Sequence, residues 1–114
     1  MSGPAGVEPQ ALLVFVTIAS AEEGRALARD LVSSRLAACV NVIPGITSIY
    51  RWQNAVEESA ETLLVLKTTP ERYPELEAAI RSRHSYELPE ILALPVAAGF
   101  EPYLAWVRAS VEGA

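Results

Sequence analysis

The chain of 114 residues has a single cysteine, Cys39, and a single histidine, His84. One cysteine cannot close a disulfide within the chain, so the sequence fits a reducing compartment. One cysteine and one histidine also cannot build a closed structural zinc site, which takes four nitrogen or sulfur ligands. Basic residues are scarce: nine Lys and Arg against fourteen Asp and Glu leave a net charge of −5. A phosphate-backbone partner needs a basic face, so nucleic acid is not an expected partner. The first basic residue is Arg25, whereas a secretory signal opens with a positive region. The apolar run Ala11 to Ile18 is of strand length and too short to span a bilayer. Gly-rich phosphate loops and a His-Glu-x-x-His pair are missing as well. Together these absences predict a cytoplasmic, non-enzymatic protein with no membrane or nucleic-acid partner.

Apolar side chains, by contrast, are abundant. They make up 51% of the sequence, and mean hydropathy is positive. The length suits one domain, here residues 11–114 preceded by a short flexible tail over 1–10. A monomer of this size has too much surface to hide so much apolar material, which predicts oligomerisation.

The pattern along the chain predicts the elements. Leu12 to Ile18 is a continuous β-prone run, as in a strand buried on both faces. Ser20 and Glu23 have the spacing of a capping box and open a helix to about Arg35. Leu27, Ala28, Leu31 and Val32 form its apolar face. Residues 39–52 are β-prone, and Pro44-Gly45 predicts a bulge or bend. Gln53 to Ser59 is polar and reads as the tip of a hairpin, with Thr62 to Thr68 as the return strand. Thr69-Pro70 has the form of an N-cap followed by an N1 proline. The stripe Tyr73, Leu76, Ala79, Ile80 is helical, and Pro74 pulls the regular helix start toward residue 73. Ile91 to Val96 is a last strand, and Pro102 to Glu112 a final helix. This order is the α+β, ferredoxin-like split βαβ sandwich with an added C-terminal helix. Its central hairpin is long enough to project and to pair with a neighbouring subunit.

Five segments carry a resemblance. They are RLAACVN at 35–41, PGITSIYRW at 44–52, LLVLKTT at 63–69, HSYELPEI at 84–91 and YLAW at 103–106. In this order and spacing the chain resembles the CutA divalent-cation (copper) tolerance family, from about residue 11 to 112. The resemblance implies a ferredoxin-like domain, an interlocked homotrimer similar in architecture to the PII signalling proteins, and a link to copper and other divalent cations. The chain departs from the family pattern at Ser85, where proline is usual. It departs again at Val16 and Arg83, where some members carry a cysteine and a histidine. Valine cannot ligate, and the Arg83 charge opposes a nearby cation.

The candidate metal ligands are therefore His84, Cys39 and Glu90. A thiolate suits Cu(I), and imidazole suits Cu or Zn. Two readings stay open for each of the first two. Cys39 is either a soft ligand or a small buried hydrophobe among Ala37, Ala38 and Val40. His84 is either a ligand, or a helix C-terminal imidazolium meeting the last carbonyls or the partner in an interface hydrogen bond. Tyr86, Glu87, Glu90 and Lys67 form a candidate polar cluster around a cleft. Tyr50, Trp52 and Trp106 read as core or interface anchors. A PII-like regulator that binds a small anion or metabolite in inter-subunit clefts is the alternative function.

Overall fold

A computed structural model describes residues 8–113. The elements run β1 (Leu12–Ile18), α1 (Ala21–Ser33), β2 (Cys39–Trp52), β3 (Ala55–Thr68), α2 (Tyr73–Arg83), β4 (Ile91–Pro95) and α3 (Glu101–Val111). The strands form one sheet in the order β2-β3-β1-β4, each neighbouring pair antiparallel. This is the ferredoxin-like arrangement. Residues 1–7 of the expected N-terminal tail lie outside the described residues.

Local chemistry sets the ends of these elements. The Ser20 hydroxyl accepts the Glu23 amide at 3.1 Å, satisfying one of the free donors at the start of α1. Gly24 packs α1 tightly on the sheet: a Cβ there would stand 3.1 Å from the Leu64 Cδ2 atom. Alternation along β1 and β3 sends Val14, Val16, Ile18, Leu64 and Leu66 to the helix side. There they join Leu27 and Leu31 of α1 and Leu76 and Ile80 of α2 in the main core. A second cluster seats Leu104, Val107 and Val111 of α3 on Ala11, Ala38 and Val96. The Arg72 Nε atom donates to the Val111 carbonyl at 2.7 Å and fastens the end of α3.

The hairpin differs from the sequence expectation. Its tip is two residues rather than seven: Trp52 pairs with Ala55, and Gln53 and Asn54 have φ values of 50° and 69°. Positive φ at both central positions is the tight turn whose twist matches the flanking strands. The polar run Glu57 to Ser59 is strand after all, because this stretch is largely open to solvent and polar side chains suit it. The bulge expected at Pro44-Gly45 is present between Ile43 and Ile46, with Gly45 at φ +82°. Val32 departs from its expected place on the core face of α1 and is 41% exposed. Thr69 does not cap α2 directly; a turn intervenes and the helix begins at Tyr73, with Pro74 in its first turn.

The opposite face of the sheet carries no helix except α3, which meets it at the Ala11 and Val96 end. Register aligns Leu13 with Lys67 and Leu94, Phe15 with Val65 and Leu92, and Thr17 with Leu63. Leu92, Leu94 and Ile43 are exposed there, while Leu13, Phe15, Leu63 and Val65 are half-buried. It is a continuous apolar surface reaching from β2 to β4, left open among the described residues beyond the end that α3 meets.

Candidate cleft at the foot of the hairpin

The segment between α2 and β4 crosses the end of β1 and meets the base of the long hairpin. His84 fixes this crossing. Its Nδ1 atom accepts the Tyr86 amide at 3.1 Å, and its Nε2 atom lies 2.7 Å from the Thr17 carbonyl. A nitrogen that accepts an N–H carries no proton, so the proton sits on Nε2 and is donated to Thr17. The imidazole thus ties the segment 84–86 to the sheet.

Tyr86 follows from that placement. Its ring tilts against the His84 ring with centroids 4.7 Å apart, and its hydroxyl donates to the Glu61 Oε2 atom at 2.6 Å. Burial raises the Tyr86 pKa above the ordinary tyrosine value of 10.0, and the Glu61 hydrogen bond and negative charge raise it further. Deprotonating Tyr86 would break the bond and set two negative charges together. The raised folded-state value therefore contributes stability that is complete below pH 10 and declines as pH climbs from there toward the folded-state value. Tyr86→Phe is expected to flatten this alkaline decline, as read from urea midpoints between neutral pH and pH 11; an unchanged decline would contradict the assignment.

Around this pair opens a cleft of about 760 Å³. It brings together Tyr50, Trp52, Tyr86, Glu87 and Glu90 from the sequence-predicted set, with Thr17, Arg51, Glu61 and Leu88 beside them. Tyr50 is oriented by a 2.8 Å hydrogen bond between its hydroxyl and that of Ser59. Glu61 was not legible as a site residue, although a signal existed. It alternates in phase with Leu63 and Val65, and a carboxylate in phase with an apolar face is out of place unless it has a partner there.

Three sequence-predicted residues lie away from the cleft. Cys39 and Lys67 are register partners, level with Leu13 at the other end of β1 from Thr17. The Lys67 ammonium lies 3.6 Å from the Cys39 thiol and also donates to the Asn41 side chain. Trp106 stands on α3, half exposed and stacked obliquely near Tyr103 with centroids 5.5 Å apart. Within one chain, then, Cys39 and His84 are not brought together. Among the described residues no group of three or more His, Cys, Asp or Glu side chains is placed to hold a metal ion.

The family description "CutA1 divalent ion tolerance protein" matches residues 12–110. The chain belongs to this family. The divalent-cation tolerance protein CutA of Thermus thermophilus is 50% identical over 84% of this chain and 93% of its own length. Human protein CutA is 45% identical over 97% of this chain, which spans 62% of the human protein. Among solved structures, CutA1 of the psychrotrophic bacterium Shewanella sp. SIB1 superposes with a TM-score of 0.89 at 36% identity, covering 94% of this chain and 100% of that one. The CutA1 assignment rests on the whole domain: the match begins at β1, takes in the hairpin and the 84–90 segment, and ends inside α3.

Proposed function

We propose that this CutA1 chain is a cytoplasmic, non-enzymatic homotrimer serving divalent-metal tolerance, with copper bound through ligands that different subunits share. The observation that carries the proposal is the uncovered apolar face of the sheet, from Ile43 through Leu63, Val65 and Phe15 to Leu92 and Leu94. A surface so broad and apolar is of the kind that subunit association buries. Assembly also answers the shortage of ligands, because each side chain recurs in every copy.

Within that assembly His84, Glu90 and Cys39 are the residues proposed to meet copper. A metal-binding imidazole commonly donates its second ring N–H to a carbonyl, which fixes the ring. The Thr17 carbonyl already fills that role, and Nδ1 would bind a cation by releasing the Tyr86 amide. Cys39 must first part from Lys67, whose ammonium opposes a second cation. The anion-binding alternative is disfavoured by the cleft lining, where Glu61, Glu87 and Glu90 outnumber Arg51.

Titrating metal-free protein with Cu(II) in a calorimeter tests the proposal. Binding heat is expected for the wild type and is expected to fall sharply in His84→Ala. No heat above buffer, or an unchanged isotherm in a folded His84→Ala protein, would contradict it. The variant should also lose about 1–3 kcal/mol of stability, since it leaves the Thr17 carbonyl and the Tyr86 amide without their partner. Its urea midpoint reads that loss separately from copper binding.

A further inference from the structure

Glu61 is the least conventional residue in the molecule. It is 8% exposed, yet its carboxylate has no cationic partner among the described residues; the ion pairs there involve Arg72, Arg83 and Arg108. Among the described residues the carboxylate has one hydrogen bond, which Tyr86 donates to Oε2. No buried side-chain oxygen is left unsatisfied among the described residues, so the unbonded Oε1 atom retains access to the cleft. Burying a carboxylate without a counter-charge is costly, and one neutral hydroxyl offsets only part of that cost.

The walls around it suit one kind of counter-charge. Tyr86 touches the carboxylate, while Tyr50 and Trp52, four and six positions along β2 from Glu61's register partner Ile46, line the cleft farther toward the hairpin tip and Leu88 adds an aliphatic wall. At the mouth Glu87 and Glu90 add negative charge against the single guanidinium of Arg51. A hydrated divalent metal would want about six oxygen ligands, which the lining does not gather among the described residues. An ammonium group on a hydrocarbon chain needs much less. One carboxylate oxygen takes its N–H, the aromatic faces attract the cation, and the same rings cover the chain.

We infer that this cleft is a binding site for a small aliphatic amine, its ammonium held by the Glu61 Oε1 atom and its hydrocarbon laid against Tyr50, Trp52 and Tyr86. The site shares Glu90 and its Tyr86 wall with the copper proposal, but its ammonium contact, Glu61, is not among the residues assigned to the metal. The carboxylates at the mouth raise the local concentration of cations and favour entry. A lysine or arginine of a neighbouring copy is the competing source of positive charge, and the test below excludes or reveals it.

The whole protein, in its own assembly state, is titrated calorimetrically with n-pentylamine and with 1-pentanol, which matches it in size but carries no charge. Pentylamine is expected to bind at least about tenfold more tightly than pentanol, the usual worth of a hydrogen bond to a charged group. Glu61→Gln retains an acceptor for the Tyr86 hydroxyl and is expected to erase that preference with the assembly mass unchanged. Trp52→Leu, at the rim, is expected to weaken pentylamine binding severalfold. Three results would each overturn the proposal: no binding of pentylamine to the wild type, as when a neighbour's side chain fills the cleft; equal binding of pentanol; or an undiminished preference in Glu61→Gln. The copper titration is read on separate samples, so either proposal can fail alone.

Discussion

Val65→Glu is expected to reduce the protein from an assembly to single chains, seen as a fall in light-scattering mass to that of one chain. Val65 lies in the middle strands of the sheet, paired with Phe15 on one side and Asn41 on the other. It is half-buried on the open face, so glutamate there fits a single chain with little strain. In an assembly that covers this face, each copy would bring a carboxylate into largely apolar surroundings, where the nearest cation, Lys67, is already engaged by Asn41 and Cys39. Such a burial costs several kcal/mol per charge, and every 1.4 kcal/mol changes an association constant about tenfold. The monomer should keep its fold, because the core lies on the other face of the sheet. If the mass stays that of the wild type, this face is not the interface.

Leu64→Ala is expected to cost about 2–5 kcal/mol of stability, a large share of the roughly 5–15 kcal/mol typical of a domain. Leu64 is fully buried and sits where α1 comes closest to the sheet, against Gly24. Truncation there opens a cavity that the helix cannot fill, because the turn around Gly24 is already seated on the strands. The neighbouring Leu63 points the opposite way, toward Thr17 and Ile43 on the uncovered face. In the monomeric Val65→Glu background, Leu63→Ala should therefore lower the urea midpoint clearly less than Leu64→Ala. Equal losses would mean that the two faces of β3 are alike, contrary to the register.

These two residues also show how far the sequence reveals the fold. The run Leu63 to Leu66 announces a strand with both faces apolar, but not which face meets helices and which meets another chain. The helices were legible because caps and stripes are local: Ser20 with Glu23, and Leu76 with Ile80. The hairpin tip was misplaced because a strand exposed on both sides loses the alternation that normally marks it. Polar Glu57 and Glu58 then resemble a turn, while the true turn, Gln53-Asn54, uses positive φ without a glycine. In the cleft, Tyr50, Trp52, Tyr86, Glu87 and Glu90 could be named because they cluster in two recognisable segments. Glu61 could not, since its partner Tyr86 lies 25 positions away and only folding brings the two together. Cys39 and His84 stood out for being single, but rarity carries no information about distance. The fold places one beside Lys67 and the other beneath Tyr86.

The account turns on association through the open face of the sheet. The mass of the metal-free wild-type protein in dilute solution, by sedimentation equilibrium, tests it most directly. Three chain masses, stable on dilution, is the predicted result. A single chain mass would contradict it: the apolar face would then stand bare in water, and the shared-ligand proposal for copper would have no assembly to rest on.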